Sequence, residues 1–242
     1  MKTAIKCLAL LLLLSCNNDD EFKAENLKNI LKLQIDNNNA LSDGVDIVKV
    51  IAEFPLNFST EDDNLVEFTV LNDGEEEVVQ ERIELIQENN IQKRIAILSV
   101  RNNKPNTLMV KAQISINGIL ISEEVLIQFK KAYLDFIEVS AKSLLITPNS
   151  FNEIELTTVL KRNLGNVSLN SIAETTVLDT LGIQRGFFNN YKNRTDSDGK
   201  IVNQYTMGND DYEGNLFVIA AAFDESNTIV SDTTKIISQK NR

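Results

Sequence analysis

Apolar and polar residues alternate with a period of two in many short stretches of the chain. The stretch 48–54 reads VKVIAEF, so valine, alanine and phenylalanine lie on one face and Lys49 and Glu53 on the other. Because successive side chains of a β-strand point to opposite faces, this pattern predicts a half-buried strand. Such strands are typical of antiparallel sandwiches. The same alternation occurs at residues 66–70, 108–116, 154–160 and 216–223.

Short turn motifs separate these stretches. Asn-Gly and Asp-Gly pairs accept positive φ and therefore close tight hairpins between strands. The strongest hairpin prediction is the stretch 116–119, where Asn117 and Gly118 lie between two apolar runs. Further turns of this kind are predicted at residues 42–44, 72–74, 198–199 and 213–214.

Residues 75–89 fit two patterns. Val79, Ile83 and Ile86 lie on one helical stripe, whereas Ile83 and Leu85 also fit a strand. We predict a strand here and keep a short helical turn as the alternative.

About fourteen strand-like runs, with turns every eight to twelve residues, predict an all-β fold. The pair Lys130-Lys131 separates one apolar strand from the next and marks the predicted domain boundary. The chain then divides into two tandem immunoglobulin-like β-sandwiches, residues 27–130 and residues 131–242, each of a size usual for that fold. Because the link is short, we expect restricted motion between them.

The N-terminal residues 1–15 have the pattern of an export signal. Lys2 and Lys6 precede an apolar run at residues 7–14, which is too short to span a bilayer as a stable helix. The run ends in Leu-Leu-Ser-Cys, which resembles a bacterial lipobox, and the resemblance implies lipidation of Cys16 after cleavage. Acyl chains contribute about 0.8 kcal/mol per buried methylene, so two or three anchor a domain durably. The alternative is an ordinary signal peptide with a chance cysteine.

Residues 16–26 form a predicted acidic tether. The stretch 17–21 reads NNDDE and resembles the acidic export tag of surface lipoproteins of the Bacteroidota. The resemblance implies a lipid-anchored protein on the outer face of the outer membrane, and the alternative is a solvated tether without an address. Since Cys7 leaves with the signal and Cys16 carries lipid, apolar cores rather than disulfides must stabilise the folded part.

The composition excludes several classes of function. The chain has no histidine and no tryptophan, and its formal net charge is −11. Without histidine, serine–histidine and cysteine–histidine nucleophile pairs and imidazole-based zinc sites cannot form. An acidic chain repels phosphate backbones, so we expect no nucleic-acid partner. We predict a protein that is not an enzyme and has no cofactor; a carboxylate pair or a lysine remains as the catalytic alternative.

Several motifs resemble bacterial immunoglobulin-like domains of the invasin and intimin type. ALSDGVDIVKVIAEF at residues 40–54 resembles the opening turn and strand of those domains, and LVEFTVLNDG and NTLMVKAQISING resemble later strands. LKRNLGNVSLNSI, TDSDGKIVNQYTMG and YEGNLFVIAAAF repeat the order in the second half. The resemblance covers most of residues 27–242. It implies modular surface architecture, such as stalks and adhesins, and supplies no catalytic residue.

Residues 185–215 are the main candidate for a ligand surface. Tyrosine and asparagine in loops at the end of a sandwich suit protein or glycan contacts, because tyrosine offers contact area at low entropic cost. The candidate ligand-binding residues are Arg185, Tyr191, Arg194 and Tyr205. The alternative is a structural role, with one of Phe187 and Phe188 in the core and Tyr212 as a tyrosine corner that bonds back to the chain.

Two further motifs are candidates for modification or metal binding. Asp196 and Asp198 resemble the start of a calcium loop, but Met207 stands where the closing glutamate is needed, so we predict a turn and keep calcium as a weak alternative. Asp-Thr-Leu and Asp-Thr-Thr motifs resemble the tripeptide that Bacteroidota O-glycosylate, which implies Thr180 and Thr233 as acceptors.

The sequence favours a non-enzymatic cell-envelope lipoprotein that is exposed at the cell surface. We expect it to act as an adhesion, interaction or spacer module. The alternative function is a glycan-binding accessory lipoprotein of a polysaccharide-uptake system.

Overall fold

The computed structural model describes residues 29–56, 64–116 and 118–240 of the chain. These residues form sixteen strands and no helix, and therefore contain no helix that could cross a membrane. In chain order the strands are β1 (Lys32–Ile35), β2 (Val48–Phe54), β3 (Leu65–Asn72), β4 (Glu75–Arg82), β5 (Glu84–Glu88), β6 (Ile91–Val100), β7 (Thr107–Ile116), β8 (Ile119–Gln128), β9 (Phe136–Ala141), β10 (Leu145–Ile146), β11 (Glu153–Lys161), β12 (Glu174–Asp179), β13 (Phe187–Asn189), β14 (Lys200–Thr206), β15 (Gly214–Phe223) and β16 (Ile229–Ser238).

The first eight strands form two four-stranded sheets, with the orders β1-β2-β6-β5 and β4-β3-β7-β8. Strand β2 follows the predicted alternation, because its two valines, its alanine and Phe54 are buried while Lys49 is exposed. In β7 every second residue from Leu108 to Ile116 is buried. The apolar face of each strand therefore supplies the core, as the period of two predicts.

The last eight strands form a second pair of sheets, with the orders β13-β14-β11-β9 and β10-β16-β15-β12. Both sheets contribute to one buried core, which includes Leu156 and Ile201 from the first sheet and Val177, Leu216 and Ile236 from the second. A fully buried leucine or isoleucine stabilises the fold by about 1.5–3 kcal/mol relative to exposure. This core stabilises the second sandwich.

The strand orders confirm the predicted fold class, an all-β chain with tandem immunoglobulin-like sandwiches. In each half, one sheet has the strand order A-B-E-D of an immunoglobulin sheet, namely β1-β2-β6-β5 in the first half and β9-β11-β14-β13 in the second. The remaining strands of each half form the opposing sheet. The short strand β10 pairs in parallel with β16, whereas the other pairings found in the second half are antiparallel.

Residues 75–89 form strands rather than a helical turn. Strand β4 pairs with β3, and β5 pairs with β6 in the other sheet. Ile83 lies between β4 and β5, and its N–H donates to the carbonyl of Asn64 at 2.7 Å. The strand prediction is confirmed here, and the ambiguous pattern arises because the chain changes sheets at this point.

Two predicted hairpins are confirmed. Asp73 and Gly74 connect β3 and β4, and both have positive φ, 51° and 88°, as a tight two-residue hairpin turn requires. Strands β7 and β8 are also sheet neighbours across the predicted turn at residues 117–118. Asn117 itself lies outside the described residues.

The described residues divide into two compact units. Unit 1 comprises residues 29–36, 49–56, 64–98, 109–116 and 118–126. Unit 2 comprises Asn37–Val48, Ser99–Leu108 and residues 127–240. The segment 37–48, which contains the predicted Ser-Asp-Gly turn, is thus part of unit 2. The boundary at residues 130 and 131 stays a prediction.

Candidate functional site

Three loops meet at one end of the second sandwich, where the sequence predicts a ligand surface. They are the loops at residues 147–152, 180–186 and 207–213. The N–H of Gly208 donates to the carbonyl of Ser150 at 2.8 Å, and the N–H of Gly186 donates to the carboxylate of Asp210 at 3.3 Å. The backbone of one loop is therefore held by the next.

Arg185 lies at the centre of this loop cluster. Its Nε donates to Oδ2 of Asp179 at 2.9 Å, and its Nη2 lies 2.8 Å from the same oxygen. Its Nη1 lies 3.7 Å from Oδ1 of Asp210, and the guanidinium carbon lies 4.6 Å from the ring centroid of Tyr212. We call Asp179, Arg185, Asp210 and Tyr212 the Arg185 cluster.

The directions of the pKa shifts show that the ion pair favours the charged form of both groups. Burial opposes ionisation of Asp179, but hydrogen bonds from the N–H groups of Ile183 and Leu181 and from Arg185 outweigh burial, so the pKa of Asp179 is lowered. The hydrogen bond to Asp179 raises the pKa of Arg185. Because each charged group is already bound by the other, the Arg185 cluster fastens loops together and does not present a free guanidinium.

Tyr205 belongs to the core, so its prediction as a ligand-binding residue is wrong. Its side chain is 0% exposed, and its hydroxyl donates to the carbonyl of Arg185 at 2.9 Å. Burial, and secondarily the charge of Asp210, raise its pKa well above the ordinary tyrosine value. A side chain without exposed surface has no area to offer a ligand. Tyr205 instead fixes the backbone of Arg185 through its hydroxyl.

Tyr191 caps an edge strand. Its hydroxyl accepts the N–H of Thr175 in β12 at 2.8 Å and donates to the carboxylate of Glu174 at 2.8 Å. Burial and the nearby carboxylate raise the pKa of Tyr191 to about 12, against the opposing effect of the Thr175 N–H. Tyr191 remains 40% exposed, and its ring centroid lies 5.2 Å from that of Phe188. Its role as a ligand contact stays a prediction.

The remaining predicted ligand and metal residues lie in exposed loop segments. Arg194 is exposed, and its guanidinium lies 3.4 Å from the carbonyl of Asn170. The carboxylate of Asp196 accepts the N–H groups of Asp198 and Lys200, both at 2.9 Å. This geometry is a turn in which the side chain of Asp196 binds its own backbone.

Within the described ranges, no group of three or more acidic or thiol side chains is arranged to hold a metal ion. The residue at the position of the missing calcium ligand, Met207, is 1% exposed and belongs to the core.

The predicted modification sites are placed differently from one another. Thr180 is exposed in the turn that follows β12, and Thr233 is exposed in the middle of β16. Their O-glycosylation stays a prediction. The predicted lipidation site, Cys16, lies outside the described residues.

Two structural alternatives for the aromatic residues can be decided. Phe188 packs against the core and lies 5.5 Å from the ring of Tyr205, whereas Phe187 is 43% exposed. One phenylalanine therefore packs inward and the other outward, as the alternative predicts. The hydroxyl of Tyr212 donates to the carbonyl of Asn215, three residues later, at 3.3 Å. The tyrosine-corner prediction is wrong, because the hydroxyl bonds forward along the chain.

Two polar side chains that fix backbone segments of unit 2 were not predicted from the sequence. Asn203 is 3% exposed. Its side-chain amide accepts the N–H of Lys192 at 2.7 Å and donates to the carbonyl of Lys192 at 2.9 Å, so it takes the place of a neighbouring strand as the partner of the Lys192 backbone. The carboxylate of Asp232 accepts the N–H of Val139, on the outer edge of β9, at 2.8 Å. Asn203 lies at a buried position of the alternating strand β14, and a polar residue at such a position is the sequence signal for a buried hydrogen-bonding role.

A cleft of about 220 Å³ in unit 2 is lined in part by polar and charged residues that bind neighbouring groups. The ammonium of Lys131 lies 4.6 Å from the ring centroid of Tyr133. Arg162 binds Asp43, and the carboxylate of Asp224 accepts the N–H of Thr228. These contacts organise the surrounding loops.

Solved structures with a similar fold include invasin and an adhesin. Invasin, described as a bacterial integrin-binding protein, aligns with 87% of this chain and 39% of its own length, at a TM-score of 0.57 and 13% identity. The adhesin InvE of Yersinia pseudotuberculosis aligns with 86% of this chain and 58% of its own, at a TM-score of 0.50 and 14% identity. The chain thus spans less than two thirds of either protein, and the likeness establishes the fold.

No protein-family model matches the sequence, and no curated protein matches it. The structural neighbours nevertheless carry immunoglobulin-like domains of the invasin type, the type that the sequence motifs resemble.

Proposed function

We propose that the chain is a non-enzymatic lipoprotein of the cell envelope, exposed at the cell surface, where it acts as an interaction or spacer module. The observation that carries the proposal is the combination of a lipobox-like Cys16 with tandem sandwiches of the invasin type. A lipid anchor followed by an acidic tether suits domains that work outside the membrane.

The polar side chains of the loop cluster support a role without catalysis. The Asp179 carboxylate and the Arg185 guanidinium bind each other, and Asp210 accepts the N–H groups of Gly186 and Tyr212. A catalytic acid or nucleophile needs a position from which it can reach a substrate. These groups are instead directed at neighbouring loops, and this arrangement gives a rigid surface.

The alternative function, a glycan-binding accessory protein, has four candidate contact residues, and two of them are the tyrosines Tyr191 and Tyr205. Tyr205 is buried and the hydroxyl of Tyr191 is bound to β12, so these two side chains give the alternative little support. It stays a prediction, which a glycan array tests directly.

Metabolic labelling with an alkyne-tagged fatty acid tests the anchor. We expect the label on the native protein, its loss in Cys16→Ser and its retention in the matched variant Cys7→Ser, because Cys7 lies within the signal. An unlabelled native protein, or one labelled equally in both variants, contradicts the anchor.

Protease treatment of intact cells tests exposure separately. We expect the folded part to be degraded without cell lysis, while a periplasmic control protein survives. In the variant Asp19→Asn, Asp20→Asn, Glu21→Gln we expect the lipid label to remain and protease sensitivity to fall, because the acidic segment acts as the signal for export to the cell surface. Full protection of the native protein contradicts surface exposure and leaves the anchor result intact.

A further inference from the structure

Four of the eight edge strands of the described sheets are short. A free edge exposes unpaired N–H and C=O groups, and natural sheets limit this exposure by shortening, capping or charging the edge strand. Strands β1, β5, β10 and β13 have between two and five residues. The longer edge strands are β4, β8, β9 and β12.

The longer edges of the second sandwich are capped. On β9, the carboxylate of Asp232 accepts the N–H of Val139. On β12, the hydroxyl of Tyr191 accepts the N–H of Thr175, and the N–H of Arg185 donates to the carbonyl of Val177. An incoming strand would have to displace these partners, which disfavours strand addition at either edge.

The two edges of one sheet in the first sandwich differ from each other. Strand β4 reads EEEVVQER and carries five charged side chains in eight residues. Strand β8 reads ILISEEVLIQ, has ten residues and carries two charges, Glu123 and Glu124. Among the described strands, β8 is the longest that lies at a sheet edge.

The exposed side chains of β8 suit a strand partner. Ile119, Leu120 and Leu126 are 44%, 62% and 64% exposed, so apolar area is available at both ends of the strand. Both glutamates are exposed in the middle. Cross-strand pairs of opposite charge stabilise a sheet, whereas like charges opposite each other destabilise it.

We propose that the outer edge of β8, with which no other described strand pairs, binds an extended peptide segment of a partner protein as an added strand, and that Glu123 and Glu124 select a segment with central lysine or arginine residues. Addition of a strand satisfies the edge N–H and C=O groups, and side-chain pairs then determine specificity. A second copy of the chain is the less favourable occupant, because it offers the same two carboxylates on a chain of net charge −11. The inference goes beyond the proposed function and does not depend on the lipid anchor.

Two synthetic peptides test the proposal on the purified full chain. Both are blocked ten-residue peptides of alternating threonine and valine, one with two central lysines and one with two central glutamates. We expect saturable binding by fluorescence anisotropy, with about a tenfold preference for the lysine peptide, since two attractive pairs replace two repulsive ones. Amide hydrogen exchange should slow in β8 and remain unchanged in β4.

A charge swap provides the decisive control. In Glu123→Lys with Glu124→Lys the preference should reverse toward the glutamate peptide. The matched variant Glu76→Lys with Glu77→Lys, on the opposite edge of the same sheet, should keep the original preference. Because all four residues are exposed, none of these changes removes core packing.

Several results overturn the proposal. These are no binding of the lysine peptide up to about 1 mM, equal affinity for the two peptides, a preference that survives the β8 swap, or slowed exchange in β4 instead of β8. A concentration-dependent doubling of mass through β8 identifies a second copy as the occupant and also overturns it. None of these outcomes bears on lipidation or surface exposure, which the labelling experiments measure independently.

Discussion

The carboxylate of Asp43 and the guanidinium of Arg162, 119 residues apart in sequence, form an ion pair at 2.9 Å within unit 2. Asp43 is 2% exposed. Its other oxygen accepts the N–H groups of Val45 and Asp46, both at 2.8 Å. The Ser-Asp-Gly turn is therefore closed on one side by its own backbone and held on the other by a distant arginine.

Removal of the arginine should destabilise unit 2. In Arg162→Met the carboxylate of Asp43 stays buried without its cation, and an unpaired buried charge is costly. We expect the free energy of unfolding to fall by about 2–4 kcal/mol. Amide hydrogen exchange of β15 across a denaturant series measures this change.

The neighbouring residue provides a matched control. The ammonium of Lys161 pairs with Glu138 at 2.5 Å, and both side chains are substantially exposed. Exposed pairs contribute about 0–1 kcal/mol, so Lys161→Met should change stability far less. Equal losses in the two variants contradict a special role for the Asp43 pair.

The same ion pair predicts acid sensitivity. Burial alone would raise the pKa of Asp43, but hydrogen bonds from Asp46, Val45 and Arg162 outweigh it, so the folded pKa lies below the ordinary value of 3.8. The unfolded chain then binds more protons in acid. Stability from Asp43 is fully present above its unfolded pKa and is lost as the pH falls through its folded pKa.

Chemical denaturation at a series of pH values below 5 measures this effect. The slope of stability against pH should be smaller in Asp43→Asn than in the native chain, because one shifted carboxyl is absent. The remaining slope should include Asp179, whose pKa is lowered too. An identical slope in the two proteins contradicts the linkage.

Gly165 permits the close approach of its loop to Asp43. A Cβ at this position would lie 2.6 Å from Oδ2 of Asp43, and φ is +72°. Gly182 has a similar φ of +76° but no atom within 4 Å of the added Cβ. Gly182→Ala should therefore cost only the conformational term of about 1–2 kcal/mol, and Gly165→Ala a further 1–3 kcal/mol, roughly, for overpacking. Thermal unfolding compares the two, and similar midpoints would falsify the steric argument.

The predictable part of the fold is the part that depends on local periodicity. The burial of β2 and β7 follows from alternation, and the Asp73-Gly74 turn follows from the φ values these residues accept. The partner of Asp43 was not predictable in this way. A single sequence contains no local signal that joins residue 43 to residue 162, because loops of the fold bring them together.

The candidate site shows the same limit for aromatic residues. Residue type alone makes Tyr205 a candidate ligand contact, but Ile201, Asn203 and Tyr205 lie on the same face of β14 and all three are buried. Applied to residues 200–206, the alternation rule places Tyr205 in the core. The edge-capping role of Tyr191 depends on a hydroxyl that reaches β12, and residue type alone does not reveal such a contact.

Tyr191 provides a test that separates edge capping from simple packing. In Tyr191→Phe the ring remains, but the Thr175 N–H loses its acceptor. We expect a loss of about 1 kcal/mol in unfolding free energy, typical of one net hydrogen bond. More specifically, the Thr175 amide should exchange faster while amides of the central strand β15 change only in proportion to global stability.

Tyr133→Phe is the matched control for this prediction. Within the described residues the Tyr133 hydroxyl makes no hydrogen bond, and the ring contacts Lys131. Removal of its hydroxyl should therefore leave both stability and the exchange of Thr175 unchanged. If Thr175 exchanges at the native rate in Tyr191→Phe, the hydroxyl is not its cap. The edge of β12 would then be less fully capped, but with six residues it would still be shorter than the ten-residue edge strand β8, so the proposed strand addition does not depend on this outcome.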